Sequence, residues 1–370
     1  MTSILLEDKS IENFEKALNQ MQKTSQAIII LACDENQFTA QALNPLLKQC
    51  SLPIIGGIFP AIVYKNRQYN QGTILLGLNN AFKVTTLHNI SQDKDYEKVI
   101  EEKIGSLAHD INTMFLFFDG ISQNIDSIIQ ALFNNYGLSI NYVGGSAAGK
   151  AFHKKPILFS NAGLLEDAAL LATTTSHSTI GVKHGWEPIE KTTYQITKSD
   201  GNIIYEINYQ PALEVYKEVI ESHLQTTFSL KDFFETARSY PLGITRLTGD
   251  SIVRVAMGTS KDSSLICTGD IAENTYVQIL HAKDAQLIEA AKTASSLSQG
   301  SEYKISFKLY IGCLARLLVM GENFYKEIEA IYEEDELLVG ALSVGEIANN
   351  KDHYLELYNS TAVVAKIADV

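Results

Sequence analysis

Three apolar runs in this chain end on glycine, and each is reached through the same order of elements. They are Ile54-Ile55-Gly56-Gly57, Ile140-Asn141-Tyr142-Val143-Gly144-Gly145 and Leu338-Val339-Gly340-Ala341. The first is preceded by the run Ala27–Ala32 and a helical pattern from about Thr39 to Gln49. The second is preceded by Met114–Phe118 and a helix from about Ile125 to Tyr136, the third by Ile305–Ile311 and a helix from about Phe324 to Tyr332. A run with no polar alternation reads as a strand covered on both faces. Glycine at its end permits positive φ and lets the backbone approach a neighbour closely. Strands then follow at Thr73–Leu78 and Phe82–Leu87, at Asp167–Ala172, and at Thr361–Ile367. Each copy therefore predicts strand, helix, strand, glycine exit, loop and strand, an internally repeated plan.

Between the second and third copies the pattern changes. His177–Tyr209 carries short Thr-, Tyr- and Ile-rich runs with Gly181, Gly185 and Gly201 as turn points. Pro211 opens a helix that runs to Leu224, with Leu213, Tyr216 and Ile220 on one face. Strands at Val253–Met257, Leu265–Thr268 and Tyr276–Leu280 precede a helix over Asp284–Leu297. With 370 residues the chain is long enough for two domains. The boundary falls between about Thr226 and Pro241, giving domains 1–230 and 231–370. No Gly/Ser-rich linker lies there, so the two are expected to pack against each other. The fold class is α/β, with mixed sheets built from repeated strand-helix-strand units in two packed domains.

A formal net charge of −13 repels phosphate backbones and anionic lipid, which argues against nucleic-acid and membrane partners. No apolar run reaches the length of a membrane span, and residues 1–10 lack the design of a signal peptide. Four cysteines, Cys33, Cys50, Cys267 and Cys313, form no C-x-x-C pair and stand near no histidine at ligand spacing. Reduced thiols in a cytoplasmic protein are the expectation.

No catalytic set stands out. Gly144-Gly145-Ser146-Ala147-Ala148-Gly149 lacks the Lys-Ser/Thr ending of a phosphate loop and the spacing of a dinucleotide fingerprint. Ser146 is not in a Gly-x-Ser-x-Gly elbow. Neither a metal nor another cofactor is expected. Cys313 follows Gly312 and precedes Arg316; a buried inert thiol is favoured there over an activated one. Trp186 suits a core or a cleft wall. Gly269-Asp270 and Gly345-Glu346 each place an acid after a strand and a glycine, and Asn359 stands before the last strand. The predicted ligand cleft lies between the domains. Gly144, Gly145 and Ser146 line one side; Asp270, Arg316, Gly345, Glu346 and Asn359 line the other. Backbone N–H groups at glycine turns suit a carboxylate or phosphate, and Arg316 adds a bidentate hold. Asp270 and Glu346 meet an ammonium, so a zwitterion such as an amino acid fits.

These residues together resemble the FIST family, a bacterial sensory module, from about Ala27 to Ile367. The carriers in the N-terminal part are Val143-Gly144-Gly145-Ser146-Ala147, Gly185-Trp186-Glu187-Pro188 and Pro211-Ala212-Leu213-Glu214-Val215-Tyr216. In the C-terminal part they are Tyr240-Pro241-Leu242-Gly243, Arg254, Thr268-Gly269-Asp270-Ile271, Gly345-Glu346-Ile347 and Tyr358-Asn359-Ser360-Thr361. Tyr358 stands where the family usually has histidine. The resemblance implies a FIST N-terminal and a FIST C-terminal domain that bind small ligands, amino acids among them. It also implies output through a separate signalling protein, since no signalling domain accompanies them here. The alternatives are an enzyme of hydrolase or transferase type, using Cys313 or the acids Asp270 and Glu346 in the inter-domain cleft, and a scaffold whose cleft receives a peptide.

Overall fold

In the computed structural model, which describes residues 1–246, 250–349 and 354–369, each pair of apolar runs becomes a pair of parallel strands. Ala27–Cys33 lies beside Ile54–Phe59, Thr113–Asp119 beside Asn141–Ala147, and Phe307–Cys313 beside Leu338–Ser343. Ala40–Gln49 joins the first pair and Ile125–Tyr136 the second. Two helices, Leu314–Met320 and Tyr325–Ile331, join the third. On the other flank of each first strand an antiparallel strand returns: Thr73–Leu78, Ala168–Thr174 and Ala362–Ala368. Beyond it lies an edge strand that begins the copy: Thr2–Leu6, Phe82–His88 and His177–Lys183. The three copies thus share one strand order, in three six-stranded sheets.

The glycines sit inside these strands, which corrects the reading of them as exits. Gly56, Gly144 and Gly340 face Ile30, Leu116 and Tyr310, each the fourth residue of its first strand. A Cβ on them would lie 1.9, 1.7 and 2.3 Å from the carbonyl oxygens of those same partners. A side chain is excluded by the neighbouring strand, and the strands run on beyond the glycine.

The segment after each second strand contains a hairpin that leaves its own sheet. Ile62–Tyr64 and Arg67–Tyr69 add to Leu338–Ser343 of the third copy. Leu158–Ser160 and Gly163–Leu165 add to Ile54–Phe59 of the first. Glu346–Ala348 and Glu356–Tyr358 add to Asn141–Ala147 of the second. First gives to third, third to second, and second to first, so the exchange closes a cycle. Each hairpin covers a strand edge that would otherwise expose unpaired N–H and C=O groups.

The inner faces meet in a shared core that includes Phe59, Phe115, Phe117, Leu309 and Ile311. Outer faces are covered by helices: Ile128, Ile129 and Leu132 press on Leu116 and Phe118, and Leu287, Ala291 and Ile328 cover Tyr310 and Leu342. Trp186 belongs to that last layer, and its Nε1 donates to the Ser360 carbonyl at 3.0 Å.

Between His177–Lys183 and the helix Asp284–Leu297 the chain builds a nine-stranded antiparallel sheet, from Glu187–Pro188 to Tyr276–His281. The helix Ala212–Leu224 packs on it, and Tyr216 donates its hydroxyl to the Tyr240 carbonyl at 2.6 Å. Residues 230 and 231, where the sequence placed the domain boundary, fall within this body, and strands 307–368 return to the body formed by residues 1–183.

Candidate functional site

The carboxyl ends of parallel strands are where α/β folds commonly hold ligands, because the loops there are free of the sheet. Here the end of Thr113–Asp119 runs into a cleft of ≈ 680 Å³ shared with the nine-stranded sheet, and the end of Phe307–Cys313 lines a smaller apolar pocket beside it. On one side runs the segment Gly120–Asp126; on the other are Asp200, Gly201, Asn202 and Thr268–Asp270. The Asp119 carboxylate sets the first side. It accepts from Ile121 N at 3.1 Å and Asp167 N at 2.7 Å, which turns the chain away from the strand. Gly120 passes so close to the third copy that a Cβ would lie 2.5 Å from Val344 Cγ2. Asn124, at φ +64, enters the helix without a side-chain cap, its amide donating instead to the Ile90 and Gln92 carbonyls.

Arg254 ties the two sides together. It ends the strand Ile252–Arg254 and is 4% exposed. Its guanidinium donates to the Leu357 carbonyl at 2.9 Å, to Asn359 Oδ1 at 3.4 Å and to Asp126 Oδ1 at 3.5 Å. One side chain of the nine-stranded sheet thereby holds the second copy and the hairpin donated by the third. Gly269 makes room for it, since a Cβ there would lie 2.7 Å from Arg254 Nε.

Three carboxylates share the cleft: Asp126, Asp200 and Asp270. Burial raises the Asp126 carboxyl above its ordinary range, and Arg254 opposes the rise. Asp270 lies at the mouth with its side chain reaching solvent. Partial desolvation is still the largest influence on it and pushes it up; Asp126 adds to the rise, Arg254 opposes it and Asp200 adds further. Asp126 and Asp200 thus both push Asp270 up, while Asp126 is itself raised by burial and further by Glu356, with Arg254 the guanidinium that opposes both shifts. Among the described residues no group of three or more His, Cys, Asp or Glu side chains is arranged to hold a metal ion.

An apolar pocket continues from the cleft, sharing Phe152, Met257, Thr268 and Val344 with it and lined further by Cys313, Leu318 and Asn359. All four cysteines are free and buried.

Of the eight residues expected to line a ligand cleft, Asp270 is on its rim and Asn359 is in the wall of the apolar pocket. Ser146 and Gly345 pack behind Val344, joined by the bond from Ser146 N to the Gly345 carbonyl at 2.8 Å. Gly144 and Gly145 are strand residues paired with Ile347 and Glu346. Glu346 is fully buried, accepts from Ser343 Oγ at 2.8 Å and Thr361 N at 3.1 Å, and is pushed up to about 8, chiefly by burial. Arg316 requires a correction. It lies on the helix Leu314–Met320, where the sequence offered only a strand end, and that turn of helix carries it away from the cleft. Its N–H groups go to the Glu327 carboxylate and to the His184, Leu287 and Ser360 carbonyls, leaving none for a ligand. Asp126 and Asp200 were not singled out in the sequence. The signals for them were the acid in the first turn after Asp119-Gly120 and the Asp200-Gly201 turn.

Family models match nearly the whole chain, the FIST N domain over residues 27–210 and the FIST C domain over 212–349. The chain belongs to the FIST family. FIST domains are in general sensory modules that bind small ligands. The chain is also similar to an uncharacterized protein of Methanocaldococcus jannaschii, 20% identical in an alignment 398 positions long, gaps included, that covers 97% of this chain and 77% of that protein. The FIST N match ends just before the helix Ala212–Leu224, so the family boundary also falls inside the nine-stranded body. No helix among the described residues is long and apolar enough to cross a membrane.

Proposed function

We propose that this FIST protein is a cytoplasmic sensor of a small amine-bearing metabolite, an amino acid in the simplest case, and that it reports through a separate signalling protein. The observation that carries the reading is the meeting of Asp126, Asp200 and Asp270 in one cleft with Arg254 behind them. An ammonium relieves the repulsion among the acids, and the apolar pocket next to them takes a hydrocarbon side chain. Of the residues expected from sequence, Asp270 and Asn359 keep a direct role in this proposal. Arg254 binds both sides of the cleft, so a ligand that displaces its weak hold on Asp126 alters the contact between the two bodies, and a partner reads that change.

A melting-temperature screen of the full chain tests this. A ligand at a hundred times its dissociation constant adds about 2.7 kcal/mol of stability. Amino acids and other primary amines are expected to raise the melting temperature, while matched carboxylic acids without the amine do not. The proposal fails if no amine stabilises the protein, or if the amine-free acids stabilise it equally.

A further inference from the structure

Comparing the three copies shows where the chain carries more than folding requires. Between its second strand and the hairpin it donates, the first copy has Pro60 and Ala61, and the third has Val344 and Gly345. At the same place the second copy has residues 148–157, ten where the others have two. The added length places Phe152 in the walls of both the cleft and the apolar pocket.

Asp34, which follows the first strand of the first copy, holds this insertion at two feet. Its carboxylate accepts from Lys150 N at 3.0 Å and pairs with the Lys155 ammonium. Gly149 passes so close to it that a Cβ would lie 2.9 Å from either carboxylate oxygen. Glu35 adds a pair with Lys150 Nζ at 3.1 Å. Between the feet the chain is nearly untied. Among the described residues, the one hydrogen bond of residues 151–154 runs from Phe152 N to the Gly149 carbonyl at 3.1 Å, inside the insertion itself. Phe152 is held at φ +52, a conformation that bulky side chains rarely adopt. A segment with so few bonds to its surroundings opens at low cost.

The pocket is ≈ 40 Å³, against ≈ 680 Å³ for the cleft. An apolar cavity that takes up benzene is about 150 Å³. A ring therefore enters this pocket only if its lining moves. Phe152 is the one lining residue that is exposed, at 40%; the others are partly or fully buried in the fold.

We infer that residues 148–157 form a lid anchored on Asp34, and that Phe152 determines which apolar groups enter the pocket. With the lid down, Phe152 admits small alkyl groups and bars aromatic ones; a bulkier limb enters when the loop between the feet lifts. The lid does not depend on the ligand's being an amine, so the test uses no ligand.

The experiment labels the full chain with methyl and with benzyl methanethiosulfonate and follows each cysteine by mass spectrometry. Cys313, 3% exposed in the pocket wall, is the reporter, and Cys50, which lines neither cavity, is the control. In the parent the methyl reagent is expected to label Cys313 well ahead of the benzyl reagent. Phe152→Ala is expected to speed benzyl labelling of Cys313 by roughly tenfold and to leave Cys50 unchanged, since labelling of a covered group follows the population of its open form. Asp34→Asn leaves Phe152 in place and loosens the feet, and is expected to speed both reagents at Cys313. The inference is overturned if Cys313 stays unlabelled or is labelled alike in the three proteins, if Asp34→Asn behaves as the parent, or if Cys50 rises in step, which would report loosening of the whole fold.

Discussion

Glu346 shows how the buried charges of this molecule divide. Arg316 and Glu327 are both fully buried, yet the pair is bidentate and braced by three carbonyls, so its charges are compensated. Glu346 has only hydrogen bonds from Ser343 and Thr361. Its folded value of about 8 lies above the ordinary 4.5, so the native state holds this proton where the unfolded chain has released it. Its contribution to stability is fully present below pH 4.5 and is lost as pH rises towards 8. Glu346→Gln has no proton to release. Denaturant titrations of parent and variant should therefore show the parent falling more steeply between those two pH values. Parallel curves would mean that Glu346 ionises in the fold as freely as in water.

At the scale of elements, the repeated glycines give the most direct check on the strand pairing. Gly144→Ala sets a Cβ against the Leu116 carbonyl at 1.7 Å, a contact that backbone must move to relieve. It is expected to cost about 1–3 kcal/mol or more. Gly258→Ala meets nothing within 4 Å and should change stability little; equal effects of the two in urea unfolding would contradict the assigned register. The first strands were legible in the sequence because strands covered on both faces become continuous apolar runs, as in Ala27–Cys33 and Thr113–Asp119. The helix Asp284–Leu297 was legible from its periodicity. The helix Leu314–Met320 was not, since Leu-Ala-Arg-Leu-Leu-Val-Met extends the preceding apolar run without a break. The donated hairpins were not either. Each is short, and its pairing partner lies in another copy, as Ile62 is paired with Ala341. The site suffered in consequence. Asp270 was legible from its turn, whereas the position of Glu346 in the core and of Arg316 on an outer helix depended on those unseen elements.

Across the whole molecule, the cyclic exchange makes the three copies interdependent. A chain cut after residue 230 keeps the hairpin Ile62–Tyr69 but loses the strand Leu338–Ser343 on which it lies, and the second sheet loses Glu346–Ala348. Such a fragment should lack cooperative unfolding by calorimetry, and a sharp transition would show that residues 1–230 fold alone. The same connectivity sets the cleft, which exists only where the second copy, the hairpin given by the third and the nine-stranded sheet meet at Arg254. The most direct test of the sensory reading is calorimetric titration of the best-stabilising amine into the parent and into Asp126→Asn, Asp200→Asn and Asp270→Asn. Asp270→Asn and at least one of the other two are expected to weaken binding by about 1.5–3 kcal/mol, the range for a hydrogen bond to a charged group. Binding as tight in all three variants as in the parent would place the ligand somewhere other than this cleft.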